Sequence, residues 1–490
     1  MFFLGIDIGT QGIRGLVVDE KGNIISSGSR RFTRLNLTEN AKCYEQAASD
    51  WIESVIHVIE KCVYGLKEKG GTPEDIAGIA VDGTSGTILP VDSGCQPLTN
   101  ALMYNDTRAD TQAELVQTAG EGLSENLGYQ FKSSFSLPKI LWIKHNQPDI
   151  YAKTRRFLHQ SDFIVGFLTG NFQNSDYSNA LKTGYDLINN CWPKFIESKL
   201  GLSLEKFPDV HPPGTIVGSV SKSIAQLTGL SQKTRVCVGA TDGNASALAA
   251  GIKKPGDYNT TIGTTLVIKG LTTSITHDRQ GRIYSHRHPD GFWMPGGASN
   301  TGGICLNHHF KDRKLAELDK QVNLSEPSRL VCYPLIGIGE RFPFLAPDAE
   351  GFIKGKVQNE LQFYTALLEG VAYTERLSYE VMAELGCDPV NTVYTAGGAA
   401  KSLVWLKIRA NILNRRLLVP KVVEASMGAA ILAASTIRFN GTSEAVDAMV
   451  KIDKEVIPDP KISQRYNSFY SLFKTACTER GYINSSGETL

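Results

Sequence analysis

Two short segments, one in each half of the 490-residue chain, carry the same arrangement: an apolar strand, a turn of Gly and Thr, and a second apolar strand. In the first, residues 2–8 run into Gly9-Thr10-Gln11-Gly12 and leave through residues 13–19. In the second, residues 260–262 meet Gly263-Thr264-Thr265 and leave through residues 266–268. The likeness of Ile8-Gly9-Thr10 to Ile262-Gly263-Thr264 suggests two related α/β domains with a cleft between them. Length agrees, because a 490-residue chain exceeds what a single hydrophobic core usually serves.

The intervening sequence fills in this plan. A third strand begins at Ile24-Ile25, making an antiparallel meander, and Trp51, Ile52, Val55, Ile56, Ile59, Val63 and Leu66 recur at helical spacing. Residues 76–81 form a short apolar strand running into the polar run Asp82-Gly83-Thr84-Ser85-Gly86-Thr87, a candidate site edge, and residues 88–91 continue as strand. Turn residues, including Pro212-Pro213-Gly214, collect between 212 and 236, which places a domain boundary there: 1–231 and 232–490. The second half is richer in helix, over 244–250, 363–384, 402–413, 427–435 and around 462–473, with a strand at 392–395 ending in Ala396-Gly397-Gly398. Residues 484–490 read as a frayed tail.

Composition narrows the function classes. Fifty-one Lys and Arg balance 50 Asp and Glu to a net charge of +1, which offers no basic field for nucleic acid. Nine scattered cysteines without a CxxC pair indicate a reduced, cytoplasmic protein. The apolar start lacks a basic flank, and the small-apolar run 428–434 is far too short to span a bilayer, so no membrane association is expected.

Turns rich in Gly and Thr present backbone N–H groups and hydroxyls at one tip, which suits phosphate oxygens, although both turns also read as plain tight hairpins. Asp7 and Arg14 flank the first turn; an acid there suits Mg²⁺ held through water, and the Arg offsets anionic charge. Gly397-Gly398-Ala399-Ala400-Lys401-Ser402 lacks the Gly that a Walker loop places before its Lys, so that assignment fails. A Gly-Gly pair between strand and helix still allows close approach of a flat ring, or simply close packing. Asp242 follows a buried-type strand directly, where it serves as a proton acceptor or as the N-cap of the next helix. His286, His288, His308 and His309 lack partners at zinc-ligand spacing.

Taken in order, Asp7-Ile8-Gly9-Thr10-Gln11 with Arg14, Gly239-Ala240-Thr241-Asp242, Ile262-Gly263-Thr264-Thr265, Ala396-Gly397-Gly398 with Lys401, and Glu424-Ala425 before Gly428-Ala429-Ala430 resemble the FGGY carbohydrate kinases across nearly the whole chain. The resemblance implies two ribonuclease H-like domains of the actin and hexokinase type, the first binding sugar and the second ATP, with the two ligands meeting in a cleft that closes on them. Finer segments resemble the D-ribulokinase branch related to xylulokinases: residues 81–87, Tyr104-Asn105-Asp106, Ser175-Asp176-Tyr177 with Asn179-Ala180-Leu181-Lys182, Gly297-Ala298-Ser299-Asn300, and Tyr333-Pro334 followed by Gly339-Glu340-Arg341-Phe342-Pro343. Xylulokinases more usually carry a Ser-Gly-Gln-Met-His-like run where this chain has residues 82–87, and Ala399 stands where the family's adenine loop commonly has a third glycine.

By that resemblance Asp242 is the base acting on the terminal hydroxyl of a ketopentose, D-ribulose first and D-xylulose as the alternative, with Asp7 and Ser85 also contacting sugar. Thr10, Gln11, Gly12, Arg14, Gly263, Thr264 and Thr265 are the expected ATP phosphate contacts, and Gly397, Gly398, Ala399, Lys401 and Ser402 the expected adenine contacts. Mg²⁺ is the expected metal, on Asp7 through water, and a homodimer is left open. An ATP-driven conformational protein of the actin or chaperone type shares the fold and is the rival class.

Overall fold

The computed structural model describes residues 1–36, 38 and 42–483, so the tail expected at 484–490 lies outside the described residues. The chain divides into two compact units. One comprises Met1–Lys253, His286–Gly291 and Val422–Lys451; the other comprises Lys254–Ser285, Phe292–Lys421 and Ile452–Leu490.

The first unit is built on a six-stranded sheet in the order Ile216–Ser219, Arg235–Thr241, Ile76–Gly83, Phe2–Gly9, Gly12–Asp19, Ile24–Arg31. The last three are the antiparallel meander read from the sequence. Phe2–Gly9 runs parallel to Ile76–Gly83, which runs parallel to Arg235–Thr241. Three parallel strands therefore end at the same edge, where α/β sheets carry their functional loops. The helical spacing noted in the sequence becomes helix Ala48–Lys67, which buries Trp51, Val55, Val58, Ile59, Cys62 and Leu66. Helix Ala425–Ile437, rich in small residues, lies directly on the sheet: a Cβ on Gly5 would fall 1.8 Å from the Ser426 carbonyl oxygen, so only glycine fits there.

The division differs from a single cut between residues 231 and 232. Strand Arg235–Thr241 belongs to the first unit because it completes that unit's sheet against Ile76–Gly83. Helix Asp242–Ala250 follows it there and packs on Ala425–Ile437, a helix drawn from much later in the sequence. Local turn composition at 212–236 marks surface connections around Ile216–Ser219 and helix Lys222–Thr228, whereas a domain edge is set by long-range strand pairing.

The second unit has a seven-stranded sheet in the order Ile283–Arg287, Trp293–Ser299, Leu266–Gly270, Asp257–Ile262, Thr392–Gly397, Leu417–Pro420, Ile452–Val456. Its centre repeats the first unit's plan, for Asp257–Ile262 forms a hairpin with Leu266–Gly270 and pairs in parallel with Thr392–Gly397. Helices Glu360–Glu384, Leu403–Leu413 and Pro460–Glu479 supply the apolar cover, burying Tyr364, Tyr373, Trp405, Tyr466 and Phe473.

Candidate active site

In the first unit, strand register assembles a cluster of acids. Asp7 and Asp82 are paired residues on adjacent parallel strands, and register partners present their side chains to the same face. Thr241 pairs with Gly83 on the third strand, which sets Asp242 just beyond the same edge. Asp82 is wholly buried, and neither carboxyl oxygen accepts a hydrogen bond from a donor group. Burial first, then the charge of Asp7, holds its carboxyl well above the usual carboxylate range. Asp7 is itself raised, chiefly by burial and further by the charge of Asp242, against the lowering effects of Asp82's hydrogen bond and of Arg14. Arg14 flanks Asp7 as expected, yet its guanidinium lies 3.9 Å away on a side chain 64% exposed, the geometry of a weak surface pair.

Thr10 and Gln11 form the two-residue tip between paired Gly9 and Gly12, and the Thr10 carbonyl accepts a bond from the Gln46 amide at 2.9 Å. Asp242 is the first residue of its helix, with Thr241 in the N-cap position, and its carboxylate accepts from the Gly243 N–H at 2.7 Å. It therefore sits at the positive end of the helix.

Support for Asp242 comes from the 175–182 segment, which the resemblance marked without giving it a role. The Thr241 N–H donates to Ser178 Oγ at 3.0 Å, a contact between positions 63 apart in sequence. The Ser178 hydroxyl in turn donates to Asp176, whose carboxylate also accepts from Asn179 Nδ2 at 2.6 Å. Asp176 is wholly buried, and burial pushes its carboxyl up to about 6. Beside this network, the Thr84 N–H and hydroxyl both donate to Gln160 Oε1, at 3.1 and 2.8 Å, and Thr84 Oγ1 lies 2.7 Å from Thr87 Oγ1. Strand Ile76–Gly83 thus extends two residues into the polar run, and residues 84–87 form a braced turn. Within it the Ser85 hydroxyl is buried and has no partner, as are Gln160 Nε2, Asn179 Oδ1 and Asn105 Oδ1 nearby in the chain's polar segments. Buried polar atoms without partners are uncommon in folded proteins and point to a polar ligand.

In the second unit a cavity of about 340 Å³ brings together two sequence motifs that are far apart in the chain. Gly263 of the turn lines it, with Gly398, Ala399, Lys401 and Ser402 of the loop after Thr392–Gly397, and Leu306, Tyr364 and Trp405 supply apolar walls. An apolar slot with a few polar edges suits a flat heteroaromatic ring. Gly397 has φ +86°, and a Cβ there would lie 2.4 Å from the Ile262 carbonyl oxygen, so glycine is required for the loop to pass. Ala399 is buried in a short 3₁₀ turn, and its methyl group is accommodated in the wall. Ser402 also caps helix Leu403–Leu413, accepting from the Trp405 N–H at 3.0 Å. The 263–265 turn is braced from behind, by Gly303 N–H to the Gly263 carbonyl at 2.8 Å and Leu266 N–H to the Thr301 carbonyl at 2.9 Å. Thr10, Gln11, Gly12 and Arg14 lie in the first unit with the acids, while Gly263, Thr264, Thr265 and the 397–402 loop lie in the second.

The amino-terminal domain of the FGGY family of carbohydrate kinases matches residues 2–249, and the carboxy-terminal domain of the same family matches residues 258–437. The chain belongs to this family. As a member it is an ATP-dependent carbohydrate kinase. Among curated proteins, a xylulose kinase of Bacillus subtilis (strain 168) is 28% identical over 500 residues, covering 99% of this chain and 98% of the relative. A gluconokinase of the same organism is 25% identical, covering 96% and 94%. Among solved structures, xylulose kinase from Rhodospirillum rubrum superposes with a TM-score of 0.86 at 24% identity, over 98% of this chain and 99% of that one, which establishes the common fold. All nine cysteines are free. Among the described residues no helix is long and apolar enough to cross a membrane, and no group of three or more His, Cys, Asp or Glu side chains is arranged to cage a metal.

Proposed function

We propose that the protein transfers the γ-phosphoryl group of ATP to the terminal hydroxyl of an open-chain ketopentose, D-ribulose by preference. Near-full-length similarity to proteins named xylulose kinase supports a pentulose acceptor. The preference for D-ribulose rests on one observation: the 82–87 run departs from the xylulokinase pattern, and its Ser85 hydroxyl is buried without a partner. D-ribulose and D-xylulose differ only in configuration at C3, so a buried polar group that one C3 hydroxyl satisfies and the other leaves unpaired is what discrimination requires.

Asp242 accepts the proton of the sugar hydroxyl. Asp7 is the residue that would hold the sugar or the water shell of Mg²⁺. When bound, Mg²⁺ neutralises charge on the phosphoryl group in transfer. Thr10 and the 263–265 turn contact phosphates, and the second unit's cavity takes adenine.

The test is kcat/KM of the purified enzyme for D-ribulose, D-xylulose, L-ribulose, glycerol and gluconate, repeated on Ser85→Ala. D-ribulose is expected to be best, ahead of D-xylulose by roughly 5- to 150-fold, the equivalent of one buried hydrogen bond of about 1–3 kcal/mol. Ser85→Ala narrows that ratio and leaves the KM for ATP unchanged. Gluconate or glycerol as the best substrate would overturn the pentulose reading.

A further inference from the structure

Two lysines converge on the tip of the 82–87 run. Lys182 donates to the Ser85 carbonyl at 3.2 Å, and Lys139 donates to the Gly86 carbonyl at 3.0 Å. Lys139 is wholly buried in the first turn of helix Ser136–Asn146, a placement that costs solvation and that an unbranched apolar residue would fill without that cost. Gly86 sits at φ +93°, with the Ser134 carbonyl 2.4 Å from where its Cβ would be, so the tip cannot be stiffened by a larger residue. Bracing on its amino-terminal side ends at Thr84, and backbone pairing resumes at Ile88, which bonds Leu102. The two carbonyls between them take their hydrogen bonds from the lysines.

We propose that Lys139 and Lys182 act as a clamp on the Ser85 and Gly86 carbonyls that holds the Ser85 hydroxyl where it reads the sugar, making both lysines positioning residues for substrate discrimination. The proposal rests on the reading of Ser85 as the sugar-contacting residue. The charged groups facing Lys139 are Lys182 from the 181–183 turn and Asp106 and Arg108 from the segment after Met103; Asp106 is already engaged by Arg108 at 2.8 Å, so it does not pair with Lys139. Burial, then the charge of Lys182, brings the Lys139 ammonium down to about 7. As pH rises through that value the ammonium loses its proton, its grip on Gly86 weakens, and the sugar KM rises.

The experiment measures KM for D-ribulose and for ATP, the D-ribulose to D-xylulose ratio and hydrogen exchange of residues 83–88, in wild type, Lys139→Met, Lys139→Arg and Lys182→Met, from about pH 6 to about pH 9. Expected for wild type is a sugar KM that climbs above about pH 7 with a flat ATP KM. Lys139→Met raises the sugar KM about tenfold at about pH 6 and converges on wild type at about pH 9, erodes the ratio and speeds exchange over 83–88 at the acid end, whereas Lys139→Arg keeps the low KM through the alkaline range. An unchanged sugar KM and unchanged exchange in Lys139→Met would overturn the clamp. Should that variant fail to fold, a pH-independent wild-type sugar KM, or an alkaline rise that persists in Lys139→Arg, would overturn it equally. If wild type phosphorylates no ketopentose, the functional reading falls, and exchange over 83–88 still decides whether the lysines hold the tip.

Discussion

Asp242 carries the heaviest demand of any single side chain. It opens a helix, and the Thr241–Ser178–Asp176 chain of hydrogen bonds fixes the strand end from which it projects. Asp242→Asn keeps the shape and the bond from Gly243 but cannot accept a hydroxyl proton. Turnover is expected to fall ~10²–10⁴-fold, with ATP binding by calorimetry intact. Near-normal turnover would show that the residue serves only to begin the helix. The sequence placed Asp242 directly after a buried strand and Asp7 near the end of one, beside the Gly-Thr turn, and that much was legible because a strand end is a local signal. Asp176, Ser178, Lys139 and Gln160 were not legible as site supports. Their roles come from contacts across long stretches of chain; Asp176 stood in a segment resembling the family, but the resemblance gave it no role, and Ser178, Lys139 and Gln160 read locally as ordinary polar residues.

Among the elements, the strands and long helices were read well because their apolar spacing is strong: Ala48–Lys67 and Glu360–Glu384 differ from expectation by a few end residues. Boundaries fared worse where polar residues continue a strand, as at Asp82-Gly83, whose neighbours Asp7 and Ile8 supply the pairing. The second unit's cavity lies where helices Glu360–Glu384 and Leu403–Leu413 meet strand Thr392–Gly397. Arg409, wholly buried, joins all three: it donates to both oxygens of Glu375 at 2.7 and 2.8 Å and to Thr395 Oγ1 at 2.6 Å. Removing one partner strands a buried charge, so Arg409→Met is expected to destabilise the protein by about 3–5 kcal/mol, while Arg409→Met with Glu375→Leu recovers most of the loss. Denaturant midpoints of the two variants check this; a single substitution costing under ~1 kcal/mol would remove the pair from any role in holding the cavity wall.

At the scale of the molecule, the repeat of a Gly-Thr hairpin flanked by a parallel strand proved to be the organising feature of both units, in Phe2–Gly9 with Ile76–Gly83 and in Asp257–Ile262 with Thr392–Gly397. Turn composition misplaced the domain cut, because membership of a unit follows sheet completion by Arg235–Thr241 and the return of Ala425–Ile437. The substrate cannot be inferred from fold, since relatives of the same architecture are named for both xylulose and gluconate. On the proposed reading the 82–87 run decides it. A competition in one vessel measures this most directly: equal concentrations of D-ribulose and D-xylulose with limiting ATP, the two pentulose phosphates resolved by NMR, and ADP and free phosphate assayed alongside. The prediction is one ADP per pentulose phosphate, no free phosphate, and the ribulose product ahead by roughly 5- to 150-fold. Equal or reversed products would contradict the assignment of Ser85 as the reader of C3.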